Sequence, residues 1–353
     1  MRHRGASTTP ARIAEPPRTS GARPGAEYAE LKRRVAGAGL LDPQPLYYWT
    51  KSIVALATLA AVVVIAAVAD AAWIVLLDAV LFGVATTQVA LLAHDIGHRQ
   101  AFRSKRANRL ASLFFGNLLL GISYTWWLDK HNQHHATPNS MEDDPDVNFP
   151  MLVFDSDQIA AKHWAFKPVI AIQASLFLFY LPFQAVGMRL GSIEHFVRGK
   201  PRQPVVQALA MASHFVLFAI LLIAIGDWPL AIGFAIISQV TWGLYNSSVF
   251  ASNHKGMAII KPGERMDFLH EQVLTSRNVD GHRFTDFWYG GLNYQIEHHL
   301  FPTMPRNRLR EAQVIVRQFC AEQGIAYYST GLFASYREVF SALNRASAPL
   351  RGG

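Results

Sequence analysis

Apolar positions in this chain come in long runs, not in the alternation of a strand or the stripe of a surface helix. Residues 52–69 are eighteen positions without a charge, and after Asp70 a second run covers 71–93. At about 1.5 Å per residue, each approaches the ~30 Å of a hydrocarbon core. Only a tight turn separates them, so they predict a helical hairpin. Tyr47, Tyr48, Trp49 and Lys51 precede it as an interfacial belt. A second pair, 205–225 and 229–251, predicts a second hairpin with its tip at Gly226-Asp227-Trp228. Asp78 is the one acid inside the first pair, and its place near the hairpin tip predicts a wet outer end.

Two further apolar runs are read differently. Residues 110–124 are too short to span and read as an interfacial or re-entrant helix. Residues 168–187 are long enough, but basic segments flank both ends, so the run is expected in the membrane plane and its crossing is left open. Neither hairpin tip holds Lys or Arg, whereas Arg99, Arg103, Lys105, Arg106 and Arg109 follow the first hairpin directly. The positive-inside rule then puts the returning ends on the cytoplasmic side. The expected fold is all-α: a polytopic integral membrane protein with four transmembrane helices in two hairpins and a cytoplasmic helical cap. Residues 1–45 read as a disordered or polar tail, 46–335 as the membrane domain with an amphipathic helix near 308–323, and 336–353 as a C-terminal tail.

Composition agrees. Hydrophobic residues make up 51% and charged residues 16%, against about 25% charged in a soluble domain. The formal charge of +8 is spread between apolar runs, which suits a face against anionic lipid and excludes a nucleic-acid patch. A single cysteine, Cys320, rules out an intrachain disulfide and a thiolate metal site. Histidine and carboxylate remain as ligand types.

Histidine is where the chemistry concentrates. His94 and His98 are four apart and share one helix face. His131, His134 and His135 repeat at i, i+3, i+4, as do Gln295, His298 and His299. All three groups fall on the same inferred side of the membrane. Seven histidines exceed what one four-coordinate zinc takes, so two ions are expected. Imidazole suits iron, zinc, copper or nickel. Beside an apolar cavity, a redox pair can oxidise a hydrocarbon chain, whereas zinc supports hydrolysis. His254, at the cytoplasmic end of 229–251, is expected as an eighth histidine ligand. His214 is mid-span and is left out, and His163, His195, His270 and His282 default to the surface or to supporting places. Asp95, Asp129, Asp144, Asp146, Asn253 and Glu297 are near enough in sequence to orient ligand rings. Trp126, Trp127, Trp242 and Asn246 are candidate lining for a substrate tunnel.

These groups resemble the three histidine boxes of membrane fatty-acid desaturases, and Gln295 in place of a leading histidine is the mark of the front-end branch. The resemblance extends through Trp126-Trp127, Lys130 to His135, Pro138-Asn139, Asp144-Pro145-Asp146, Thr275 to Val279 and Gly290 to Pro305. It implies a four-span protein with a cytoplasmic di-iron centre, which uses dioxygen and two electrons to form a cis double bond in an acyl chain carried on coenzyme A or a lipid. It implies His94, His98, His131, His134, His135, His298 and His299 as iron ligands, Gln295 as a ligand directly or through water, and His254 as a further one. A fused haem domain with a His-Pro-Gly-Gly motif, common in that branch, is not found in the sequence. A separate donor, a ferredoxin or a flavin-dependent reductase, is therefore expected. The alternatives are a hydroxylase or monooxygenase on the same scaffold, a zinc hydrolase, and a membrane metal transporter.

Overall fold

The computed structural model describes residues 25–352, so the expected N-terminal tail lies largely outside the described residues. α1 (Ala26–Gly37) lies at the histidine end of the molecule, with Leu31 and Val35 buried in one cluster with Phe319 and Leu300. α2 (Pro45–Val68) and α3 (Ala72–Gly97) form the first hairpin. α4 (Lys105–Ser112) runs into a π-helical turn, Leu113–Leu119, that redirects the chain into α5 (Tyr124–Ala136). Asn117 on that turn accepts from the Tyr124 N–H at 3.2 Å and donates to Gln207 at 3.2 Å, which fixes where α5 begins.

α6 (Lys167–Ala171), α7 (Gln173–Tyr180) and α8 (Gln184–Val197) replace the single in-plane helix expected from the sequence. The break at Leu181–Phe183 contains Pro182, which cannot continue an α-helical hydrogen-bond ladder. α7 packs on the C-terminal region, while Ser192 and His195 of α8 bond Ser123 and Thr125 beside α5. The segment is thus held at one end by the C-terminal region and at the other by the start of α5.

α9 (Pro204–Ile225) and α10 (Trp228–His254) form the second hairpin. Asp227 caps α10, its carboxylate accepting from the Leu230 N–H at 2.8 Å. By length and mean hydropathy the four candidate spans are α2, α3, the stretch Gln173–Val197, and α9. α10, the expected fourth span, is not among them. It is long enough at 27 residues, but Ser238, Asn246, Ser247, Ser252 and Asn253 dilute its hydropathy because they face the protein interior. It still runs the depth of α3: Gly83 lies against Ser238 and Thr241, and His254 meets the α5 histidines at the other end. In α2 and α9 only 11% of the most apolar window is buried, so their outward side chains form a lipid-facing surface. Asp78 departs from its expected place: it is 1% exposed, packed inside the protein and without a hydrogen-bond partner among the described residues.

The remaining helices form a cap at the histidine end: α11 (Phe268–Leu274), α12 (Arg283–Trp288), α13 (Gln295–Leu300), α14 (Leu309–Gln323) and α15 (Leu332–Ala346). A two-residue parallel pairing of Asn278–Val279 with Ser329–Thr330 ties the cap together. Residues 336–346, placed in a tail by the sequence, lie in α15. Val339 and Leu343 pack on Phe177, and Glu338 pairs with the fully buried Arg277.

Candidate metal centre

Four elements supply the histidines. The last turn of α3 carries His94, with His98 as its cap; one face of α5 carries His131, His134 and His135; His254 ends α10; and α13 carries His298 and His299. α13 is only six residues long, and its direction is set by the preceding turn, where Gly290 and Gly291 have φ of +56° and +84°. A Cβ on Gly290 would also lie 2.7 Å from Arg306 and 2.9 Å from Leu91, so glycine is needed there for both backbone and space.

The histidines gather in two adjoining groups. In one, His94, His98, His131, His135 and His298 each offer a ring nitrogen within 4.8 Å of all the others; in the other, His134, His254 and His299 do so. The groups touch where the His135 and His299 rings stack at 4.2 Å. Gln295 lies beside the second, its amide nitrogen 2.9 Å from His254 Nε2 and its amide oxygen accepting from Asn253 at 2.8 Å. All nine side chains are buried.

Hydrogen bonds on the outer nitrogens aim the inner ones. His134 Nδ1 donates to Asp144 at 2.9 Å, His254 Nδ1 to the Thr275 carbonyl at 3.1 Å, and His299 Nδ1 to the Gln272 amide oxygen at 2.9 Å. His94 Nδ1 faces Asp95 at 3.3 Å. A ring that donates through Nδ1 has its Nε2 lone pair free to point inward. His134 and His254 bring these nitrogens to 3.3 Å, and His131 lies 3.2 Å from His94 and 3.1 Å from His135. Lone pairs aimed at one another in a buried space call for a cation between them. The Nε2 atoms of His98, His298 and His299 have no partner among the described residues, which an ordinary buried network would not leave. Burial, and the crowding of rings that disfavour one another's protonation, hold His131, His135, His298 and His299 well below the usual histidine value. They are kept in the neutral, metal-binding form. The donor set of neutral imidazoles, one amide and nearby carboxylates fits a pair of transition-metal ions.

The supporting residues divide. Asp95 and Asp144 contact the ring nitrogens of His94 and His134. Asp146 stands 3.7 Å from His134 and pairs with Lys130; burial raises its carboxyl, but the charges of Lys130 and Lys255 outweigh that and lower it. Asn253 acts through Gln295. Glu297 does not meet a histidine ring: it turns to the far side of α13, accepting from Asn278 at 2.6 Å and Tyr327 at 2.9 Å, and burial raises it to about 7. Asp129 makes no bond to the clustered rings among the described residues. Of the tunnel candidates, Trp127 covers the first group, stacked on His131 at 4.4 Å and 5.4 Å from His94. Trp126 and Trp242 share its apolar cluster with Leu120, Ala185 and Met188, while Asn246 reaches only Met188 sulfur at 4.0 Å. His214 bonds the Leu118 carbonyl, outside the centre.

Sequence reasoning missed the partners that come from afar. Gln272 and Thr275 hold the rings of His299 and His254 from 27 and 21 residues away. Asn139, at φ +57°, donates from one amide to the carbonyls of His254, Ala258 and Thr275 and so joins the end of α5 to that of α10. Arg306 pairs with Asp95 across 211 residues. The asparagine and threonine stood inside quoted motifs, but nothing in their spacing disclosed these roles.

Comparisons with known proteins agree with the geometry. Residues 71–331 match the family model for fatty acid desaturase. The chain is 30% identical to a delta-6 fatty-acid desaturase of Caenorhabditis elegans over 88% of its length and 72% of the relative. It is also 30% identical to a delta-5 fatty acid desaturase of the same organism, covering 91% of the chain and 74% of the relative. A delta-8 fatty-acid desaturase of Euglena gracilis is 29% identical over 85% and 74%.

Proposed function

We propose that this chain, which belongs to the fatty acid desaturase family, inserts a cis double bond into an acyl chain at a pair of iron ions held by its clustered histidines. The observation that carries the reading is the two groups of inward-facing imidazoles, five and three, joined at His135 and His299. His94, His98, His131, His135 and His298 would hold one ion. His134, His254 and His299 would hold the other, with Gln295 completing it directly or through water. When bound, the irons supply an oxidant from dioxygen and two electrons; with two protons, two hydrogens leave adjacent methylenes and two waters form.

The chain's own residues do the rest. Asp95, Asp144, Gln272 and the Thr275 carbonyl fix the orientation of the imidazoles. Trp127 covers the first group on its apolar side, where Trp126, Trp242 and Met188 continue an apolar lining for the acyl chain. Such a lining excludes water and holds one pair of methylenes at the centre, which is how position along the chain is selected. The active site faces the cytoplasm, and the electrons come from a separate ferredoxin or flavin-dependent reductase attracted to the basic surface. The substrate is an acyl-CoA or a lipid-linked acyl chain.

Fatty-acid profiling with double-bond location, after expression in a host lacking the activity but supplying a donor, tests the proposal. A new unsaturated product from the wild type and none from His298→Ala is expected. A hydroxylated chain without a new double bond would shift the assignment to a monooxygenase on the same scaffold. Activity surviving in His298→Ala would remove that ligand.

A further inference from the structure

A cleft of about 380 Å³ opens beside the metal centre, between the start of α2, α3 and the turn before α13. Lys51, Arg283, Arg306 and Arg310 line it, with Asn307 and Tyr47. Its one carboxylate is Asp286, 3.9 Å from Arg310 and already accepting from Asn293 and Tyr294 at 2.9 and 3.0 Å. Arg306 forms the inner wall and is engaged by Asp95 and the Leu91 carbonyl. Arg283 and Lys51 have no hydrogen-bond acceptor among the described residues. The cleft is therefore a cationic pocket with unspent donors.

Its depth decides the occupant. Lys51 stands immediately before the uncharged run of α2. Gln88, which also lines the cleft, is six residues before His94 on α3, or about 9 Å further into the apolar part of the bundle. Phe287, which lines the cleft, is 51% exposed, and Phe284 on the same helix α12 is 53% exposed. Cations at the mouth, apolar rings at the edge and a spanning helix pair behind make a place where bilayer headgroups lie. Basic pockets of this kind beside membrane helices take anionic lipid headgroups.

We propose that this cleft seats the phosphate of an anionic membrane phospholipid. Its placement at headgroup level rests on the reading of the chain as a membrane desaturase. The phosphate sits between Lys51, Arg283 and Arg310, with the acyl chains along the α2–α3 surface. Arg306 separates it from Asp95 and His94, so the lipid stands one residue layer from the centre.

The test uses the full-length protein in detergent, exposed to equal amounts of phosphatidylglycerol and phosphatidylcholine, with retained lipid counted by native mass spectrometry. Wild type is expected to keep phosphatidylglycerol preferentially. Lys51→Gln, Arg283→Gln and Arg310→Gln should each weaken retention roughly fivefold, and added salt should weaken it in the wild type. Arg337→Gln and Arg345→Gln, on α15, should not. Retention equal to wild type when Lys51→Gln, Arg283→Gln and Arg310→Gln are combined in one chain would overturn the proposal. So would displacement of the lipid from wild type by an equal concentration of coenzyme A, which would assign the cleft to a soluble phosphate carrier. Iron content is measured on the same samples: wild type without iron would defeat the di-iron reading, while lipid retention alone decides the cleft.

Discussion

At the scale of single residues, orientation carries more information than identity. The histidines were legible because metal ligation on helices repeats at i, i+3 and i+4, a pattern read without knowing the fold. Their orienters were not, because a ring nitrogen can be met from any part of the chain. Glu297 illustrates the limit: it adjoins two ligands in sequence, yet helix geometry sends it to the opposite face of α13, where Asn278 and Tyr327 hold it. Arg306 shows the converse, as it is remote in sequence and bound to Asp95, which faces His94. Arg306→Met should therefore loosen the metal without removing a ligand. Loss of a partner behind a ligand typically costs 10–100-fold in affinity, so iron retention against a chelator should fall by at least about tenfold. Arg306→Lys should restore only part of it, since one ammonium cannot reproduce the guanidinium's fixed fork to Asp95 and the Leu91 carbonyl. Unchanged retention in Arg306→Met would show that Asp95 needs no support.

Among elements, the α3–α10 pair decides whether the centre can assemble, because it delivers His94 and His254. Its contact is close: a Cβ on Gly83 would lie 2.6 Å from Thr241 Cβ and 2.8 Å from the Ser238 carbonyl. Gly83→Ala should destabilise the protein by about 1–3 kcal/mol, as overpacking does, and lower its unfolding temperature. Gly233→Ala is the matched control on α10, for its Cβ would meet only the flexible end of Leu76 at 3.2 Å. There the better helix propensity of alanine should offset the contact, leaving stability near wild type. Hydropathy revealed the apolar helices facing lipid but underrated α10, since an interior helix can afford polar side chains that bond neighbours. It also could not show the 3-10 turn at Leu181–Phe183, where the backbone of Pro182 packs against Gly243. In α11, burial raises Glu271 to about 7, with Asp267 and Asp143 adding to it and Arg265 opposing. The folded state thus binds this proton more tightly than the unfolded chain, whose value is near 4.5. The group's penalty is absent below about 4.5 and grows as pH rises towards 7. Glu271→Gln should raise the unfolding temperature at pH 8 and leave it nearly unchanged at pH 4.5; the same gain at both would refute the linkage.

For the molecule as a whole, the centre does for the cap what lipid does for the spans. α3, α5, α10 and α13 are far apart in sequence and converge on eight imidazoles. Without a cation, inward lone pairs such as those of His134 and His254, 3.3 Å apart, repel. The membrane hairpins have their own apolar surfaces and need no such support: α2 and α9 bury little of themselves and rely on lipid. Metal that binds only the folded cap stabilises it by about 1.4 kcal/mol per tenfold excess over its dissociation constant. Chelation should accordingly lower the unfolding temperature and leave the two halves of the molecule unequal. Amide hydrogen exchange should quicken in α13, in the 137–146 loop held by Asn139 and Asp144, and at the ends of α5 and α10. The α2–α3 and α9–α10 tips, at the opposite end, should keep their wild-type protection. Reloading with iron should reverse the change, and His298→Ala should show the fast pattern with metal present. Uniform acceleration from tip to cap would instead mean that spans and cap unfold as one unit, with the metal holding both.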